Sequence, residues 1–166
     1  MHTSVIGKYQ AVFEKVPFQS VLIAMNSHWD WYARKLMDFI LFARRDLNLP
    51  MVGKSEEKRL ARFSSLPIGE QLEAIEVAAG IKVALSKGEE SELKEMSLVR
   101  NLGLHNRWEI DARYLERTVR SGYQLGELRI IEREELFKWH QVFLSVVHAT
   151  NIEVATIFVK ANDYRQ

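Results

Sequence analysis

Apolar residues recur along most of this chain at alternating intervals of three and four, the period of a helix that buries one face. The longest such run lies between Phe18 and Leu47, where Leu22, Met25, Trp29, Tyr32, Leu36, Phe39, Ala43 and Leu47 share a stripe. A helix of ~30 residues rising 1.5 Å per residue is a rod of about 45 Å. Ahead of it, Val5, Tyr9, Val12, Phe13 and Val16 predict a shorter helix over Ser4–Val16, ended by Pro17. Ser27 offers a cap for a fresh start after a bend near Asn26, so the pattern admits one helix or two over Phe18–Leu47.

Pro50–Ser65 breaks the periodicity with Pro50, Gly53 and a charge-rich stretch, and reads as a connection with room for one short helix. Pro67 suits a first helical turn. Ile68, Leu72, Ile75 and Ala79 then keep helical spacing up to Gly80, a left-handed helix end with Ile81 as its apolar contact. Gly88 precedes a helix over Glu89–Leu102 whose first residues are glutamates, the sign favoured by the helix dipole. Asp111 can cap a helix through about Arg120, with Gly122 past its end. Tyr123–Ile131 alternates apolar and polar residues around Gly126, which predicts a short extended excursion or small β-hairpin. A final helix is traced by Leu136, Trp139 or His140, Phe143, Val147, Thr150, Val154, Ile157 and Ala161. The fold class expected is all-α, an up-and-down helical bundle of about five to six helices in a single domain over residues 1–166.

Composition narrows the chemistry. The chain of 166 residues suffices for one domain with a real core, and its 47% hydrophobic and 27% charged residues are those of an ordinary globular protein. The absence of cysteine excludes disulfides, thiolate metal sites and cysteine nucleophiles, and fits a reducing cytoplasm. No basic segment followed by an apolar run opens the chain, and no window approaches the ~18 apolar residues of a membrane span, so a cytoplasmic location away from membranes is expected. With a net charge of only +1, contact with nucleic acid would have to come from a local patch.

One stretch stands apart from the helical pattern: Val99–Leu115, VRNLGLHNRWEIDARYL, which gathers Arg, Asn, His, Trp and Asp. Arg100 and His105 form the candidate working pair. Histidine exchanges protons near neutral pH, and arginine offers a permanent charge and a fork of donors that fits phosphate. Together they suffice for phosphodiester transfer on RNA without metal or cofactor. On a regular helix five positions are ~140° apart, so Arg100 and His105 would not share a face. Asn101 and His105, four apart, would, and Gly103 between them could end or loosen the helix and re-aim the histidine. A twofold dimer setting two copies of the segment face to face would supply both an acid and a base. Taken alone, a histidine at a helix end more often satisfies a carbonyl.

From Glu95 to Phe137 every Lys/Arg position is arginine. Arg113, Arg117 and Arg120 fall at i, i+4 and i+7 near Arg107 and Trp108, a surface suited to single-stranded RNA. A solvated helix face paired with Glu116 is the plainer alternative. His140 and His148 lack a third ligand at suitable spacing, so buried or boundary histidines are expected there rather than a metal site. Trp29, Trp31, Trp139 and Phe143 are expected to pack in the core or a dimer interface.

RNLGLHN, followed by Asp111 and Tyr114–Leu115, resembles the central motif of the HEPN superfamily, in which an arginine, often followed by Asn, precedes a histidine by four to six residues. LEAIEVAAGIK, the Leu93–Met96 approach and the aromatic-acidic SHWDWYARKL are also similar to HEPN-like chains. The resemblance implies a helical bundle that homodimerises through the motif, with metal-independent endoribonuclease activity in many members. It implies catalytic roles for Arg100 and His105 with Asn101 assisting, and a cleft-lining place for Asp30. It implies RNA as substrate, an antitoxin or other defence-system protein as a further partner, and no cofactor. Two features depart from the pattern: Arg107 stands where some toxin members have a tyrosine, and Arg107–Ile110 lacks the glycine frequent there. Some members keep the fold without cleaving RNA, so a noncatalytic dimeric RNA-binding or assembly module is the alternative.

Overall fold

The computed structural model describes the backbone of residues 2–46 and 61–163, and the side chains of residues 16–46 and 61–156. The chain is all-α. Among the described residues it forms α1 (His2–Asp46), a 3-10 turn (Phe63–Ser65), α2 (Ile68–Ala79), α3 (Lys87–His105), α4 (Ala112–Arg117) and α5 (Arg133–Asp163), and no strand. Most of the expected Pro50–Ser65 connection lies outside the described residues, as do Leu47 and the side chains of Val5, Tyr9, Val12, Phe13, Ile157 and Ala161, whereas Val16 is exposed.

Pro17 does not end a helix: α1 runs through it. A helical proline forgoes one hydrogen bond and crowds the carbonyl four residues back, at about 3 kcal/mol. The turns that follow bury Gln19, Leu22 and Met25, and each buried apolar side chain contributes about 1.5–3 kcal/mol toward keeping the helix going. Nor does Ser27 cap a new helix. Its hydroxyl donates back to the Ile23 carbonyl at 3.0 Å, while the buried Asn26 donates to Leu22 O at 2.8 Å. The polar pair thus stays inside one continuous helix.

The chain divides into two compact units, Met1–Ser27 with Ser91–Val142, and His28–Glu90 with Phe143–Gln166. In the second unit Trp29, Ala33, Met37, Ile40 and Ala43 of α1 are buried, as are Ile68, Leu72, Ile75 and Ala78 of α2 and Val146, Thr150 and Val154 of α5. Gln71 is fully buried among them: it accepts from the Trp29 indole at 2.5 Å and donates to Phe63 O at 3.0 Å. The Phe143 ring meets Trp29 edge-on at 5.9 Å between centroids. Pro67 sits one position before α2 rather than within it, and Gly80 takes the expected left-handed conformation (φ 70°), letting Ile81 N bond Glu76 O. Helix α3 begins two residues before Glu89, because Ser86 caps it. Glu89 N donates to Ser86 Oγ and Ser86 N to Glu89 Oε2, the reciprocal bonds of a capping box.

In the first unit the buried stripe is Leu22 and Met25 of α1, Leu93, Met96, Val99 and Leu102 of α3, and Leu136 and Trp139 of α5. Ile110, Tyr114 and Ile131 join it from the segment between α3 and α5. Tyr123–Ile131 forms no strand and does not fold on itself as the expected hairpin. Gly126 (φ 79°) turns it after only three residues, and its second arm lies against the residues that follow α3. Glu109 and Leu128 form an isolated antiparallel bridge, with Ile110 N to Glu127 O at 2.8 Å and Arg129 N to Trp108 O at 2.7 Å.

Candidate functional site

Arg100, Asn101 and His105 occupy the C-terminal half of α3 in the first unit. Burial of Val99 and Leu102 on one side of the helix turns Asn101 and His105 into solvent and leaves Arg100 half-buried. Arg100 Nη1 donates to Asn101 Oδ1 at 3.3 Å. The Asn101 side chain therefore serves the guanidinium rather than the imidazole, and among the described residues no side-chain hydrogen bond joins it to His105. Gly103 neither ends nor loosens the helix, which continues to His105. Arg100 and His105 thus keep the ~140° separation of a regular helix, and one copy cannot aim both at one phosphate from the same face.

The chain leaves α3 through a costly turn. Arg107 and Trp108 both have left-handed backbones (φ 51° and 68°), a conformation that glycine would take without penalty and that this segment adopts with no glycine present. Four hydrogen bonds hold it. Asn106 N and Trp108 N share the Leu102 carbonyl at 2.9 and 3.1 Å, Asn106 Nδ2 reaches Glu109 O at 2.6 Å, and Glu109 N reaches Asn106 O at 2.8 Å. The turn folds the half-buried Trp108 back onto Gly103, where a Cβ would lie 2.4 Å from the indole. Trp108, expected to face RNA, is instead partly committed to its own helix.

Asp111 caps α4 as predicted, its Oδ1 accepting from Tyr114 N at 2.7 Å. The helix stops at Arg117 rather than near Arg120. Thr118 takes an extended backbone, donates its hydroxyl to Glu95 Oε2 at 2.7 Å and accepts from Arg120 N at 3.1 Å. That pulls Arg120 off the arginine face and into an ionic network. Arg113 and Arg117 remain together and exposed, and among the described residues neither pairs with Glu116. Arg107 is exposed as well.

The network under the motif escapes a sequence reading. Glu95, on the buried stripe of α3, accepts from Tyr114 Oη at 2.5 Å and lies 3.5 Å from Arg129 Nη2, and Arg129 Nε donates to Tyr114 Oη at 3.1 Å. Arg129 also forks onto Glu135, with Nη1 to Oε2 at 3.0 Å, and Glu135 pairs in turn with Arg120. Arg120 Nη2 reaches Glu92 Oε2 at 2.8 Å, and Glu92 further accepts from Lys138 at 2.6 Å and the Trp139 indole at 2.9 Å. The Arg129 guanidinium also stands 4.9 Å over the Tyr123 ring. Burial and the bond to Glu95 push the Tyr114 phenol well above its usual range, so it stays protonated. Burial alone would depress Arg129, but Glu135 outweighs it and holds the guanidinium charged. Burial would likewise raise Glu92, yet the bond from Lys138 and the charge of Arg120 bring it below the usual carboxylate value. One signal was available: Glu95 sits in register with Leu93, Met96, Val99 and Leu102, and a carboxylate on a buried stripe demands a partner.

The remaining candidates are dispersed. Asp30 belongs to the second unit, where Gln71 Nε2 donates to its Oδ1 at 3.2 Å. His140 and His148 are both exposed, where buried or boundary positions were expected, and among the described residues no three His, Cys, Asp or Glu gather in a metal-binding group. Trp29 and Trp139 are core residues as anticipated, but Trp31 is 61% exposed. No helix among the described residues is long and apolar enough to cross a membrane. No family model, curated protein or solved structure matches the chain.

Proposed function

We propose that this chain is a metal-independent endoribonuclease of HEPN type that works in the cytoplasm as a homodimer, in a toxin or defence setting with an antitoxin-like partner. The observation that carries the proposal is the grouping of Arg100, Asn101 and His105 at the outward-facing end of α3, with the exposed Arg107, Arg113 and Arg117 following within one connected segment. A proton carrier, a half-buried guanidinium and a run of exposed cations are what an RNA phosphodiester requires. Leu104, an apolar side chain 46% exposed beside His105, is the kind of residue a second copy would cover.

The chemistry divides between two copies. One neutral imidazole takes the proton of a ribose 2′-hydroxyl, whose oxygen attacks the adjacent phosphorus. The bond from phosphorus to the 5′-oxygen breaks, and the protonated imidazole of the second copy gives that oxygen its proton. A 2′,3′-cyclic phosphate and a free 5′-hydroxyl result, while the two Arg100 guanidinium groups balance charge on the phosphoryl oxygens. The ~140° between Arg100 and His105 supports the composite site, because each copy can present one group to its own side and one to its mate. The test is RNA cleavage by purified protein in EDTA. The parent should cleave and His105→Ala should not, whereas equal activity in both overturns the proposal. A parent that never cleaves, with an Arg100→Ala variant that binds RNA or dimerises less well, would instead identify a noncatalytic RNA-binding module.

A further inference from the structure

We infer that Trp108 is a positioning residue for His105, acting through Gly103. Three unfavourable choices fall within six residues of one another. Gly103 lies inside a helix, where glycine is poorer than alanine, and Arg107 and Trp108 take left-handed backbones without being glycine. They have one outcome in common. A Cβ at Gly103 would stand 2.4, 2.5 and 2.7 Å from Cζ2, Cη2 and Cε2 of Trp108, so the indole edge rests directly on the backbone of the last turn of α3. No side chain other than hydrogen at 103 allows that approach, and no extended backbone at 107 and 108 would return the ring to it.

The turn so covered is the one that carries His105. Terminal helix turns ordinarily fray. Here the Leu102 carbonyl is bonded by both Asn106 N and Trp108 N, Arg129 N ties the Trp108 carbonyl at 2.7 Å, and the indole presses on the helix two residues before the imidazole. Strain kept by surrounding structure is a mark of sites whose geometry matters. Displacing a reacting group by about 1 Å can cost on the order of a hundredfold in rate. Trp108 therefore fixes the direction in which His105 leaves the helix, a different task from contacting RNA. Its kinetic consequence rests on the ribonuclease proposal, whereas its structural consequence does not.

The experiment compares parent protein with Trp108→Ala, Trp108→Phe, Gly103→Ala and the Gly103→Ala/Trp108→Ala double variant, by the imidazole NMR cross-peaks of His105 and by kcat and KM for RNA cleavage. Trp108→Ala should move and broaden the His105 cross-peaks and lower kcat by about tenfold or more with little change in KM. Trp108→Phe should restore part of both, because a smaller ring still reaches the glycine. Gly103→Ala should reproduce the defect, and the double variant should be no worse than Trp108→Ala alone, since the added methyl then meets no ring. Unmoved His105 cross-peaks in Trp108→Ala and Gly103→Ala overturn the inference, as does a loss confined to KM, which would make Trp108 a substrate contact. Should Trp108→Ala fail to fold, Trp108→Phe and Gly103→Ala decide by the same cross-peaks. A parent that cleaves no RNA while its His105 cross-peaks still respond to Trp108 removes the ribonuclease proposal and leaves the positioning role standing.

Discussion

The hydroxyl of Tyr114 donates to Glu95 at 2.5 Å, and each of the two residues is only 2% exposed. The same oxygen accepts from Arg129 at 3.1 Å, so the phenol is an ordered bridge between a buried carboxylate and a buried guanidinium. Removing it by Tyr114→Phe keeps the ring and its edge-on contact with Tyr123 but leaves both charged groups short of one partner. A buried group that loses its hydrogen bond costs about 1–3 kcal/mol. Denaturant unfolding should show a loss of that size. An unchanged midpoint would mean that the bridge is not needed to solvate the pair.

Arg129 tests the same network from its centre. Its side chain is 2% exposed and serves Glu95, Glu135 and Tyr114 together. Arg129→Met preserves bulk and apolar contact with Tyr123, yet it strands carboxylates with little access to water. Breaking a buried ion pair by removing one member costs about 3–5 kcal/mol, more than the phenol alone. Expected is a drop larger than that of Tyr114→Phe, with the double variant less destabilised than the two losses added, because the residues share partners.

These residues mark the limit of what the sequence made legible. The all-α class, the α2 span with its Gly80 end and the buried face of α5 follow from periodicity, because burial of a helical stripe is a local property of the pattern. The Asp111 cap followed from a short polar side chain before an apolar turn. Pro17 misled, since a proline's local cost can be exceeded by burial on the turns around it. The end of α4 was missed because it is decided by Glu95, twenty-three positions from the Thr118 that it binds. For the site, spacing alone placed Asn101 beneath His105, but it carried no information about Arg100 taking that oxygen first. The seat of Trp108 on Gly103 depends on two backbone angles that arginine and tryptophan ordinarily avoid, and no composition rule foretells them.

Acid should weaken the first unit through Glu92. Its folded carboxyl lies below the ordinary 4.5, with burial opposed and outweighed by the bond from Lys138 and the charge of Arg120. Well above pH 4.5 the carboxylate is ionised in both folded and unfolded chains, and its full contribution is present. As pH falls below 4.5 the unfolded chain takes up the proton first, and stability declines until the folded carboxyl is protonated too. Glu92→Gln removes this dependence. The stability gap between parent and Glu92→Gln should therefore be constant from neutral pH down to about 5 and shrink below 4.5, as read from unfolding midpoints across a pH series. A gap that widens on acidification would contradict the lowered carboxyl.

Arg107 separates conformational strain from ligand binding. It is exposed, it has a left-handed backbone (φ 51°), and its neighbour Trp108 shares that conformation. Glycine at 107 would adopt this φ without the Cβ clash, a relief of about 1–2 kcal/mol, offset in part by about 0.5–1 kcal/mol for the greater freedom of glycine in the unfolded chain. Arg107→Gly should thus raise stability slightly, by about 0.5–1 kcal/mol in equilibrium unfolding, and leave the turn in place. On the proposed ribonuclease the same change deletes one exposed cation beside His105. RNA affinity should fall, and the slope of log affinity against log salt should become shallower by about one phosphate contact. Greater stability with unchanged affinity and salt slope would show that Arg107 bears the strain of its turn without touching RNA. A loss of stability would show instead that the arginine side chain, rather than the hydrogen bonds around Leu102, keeps the turn closed.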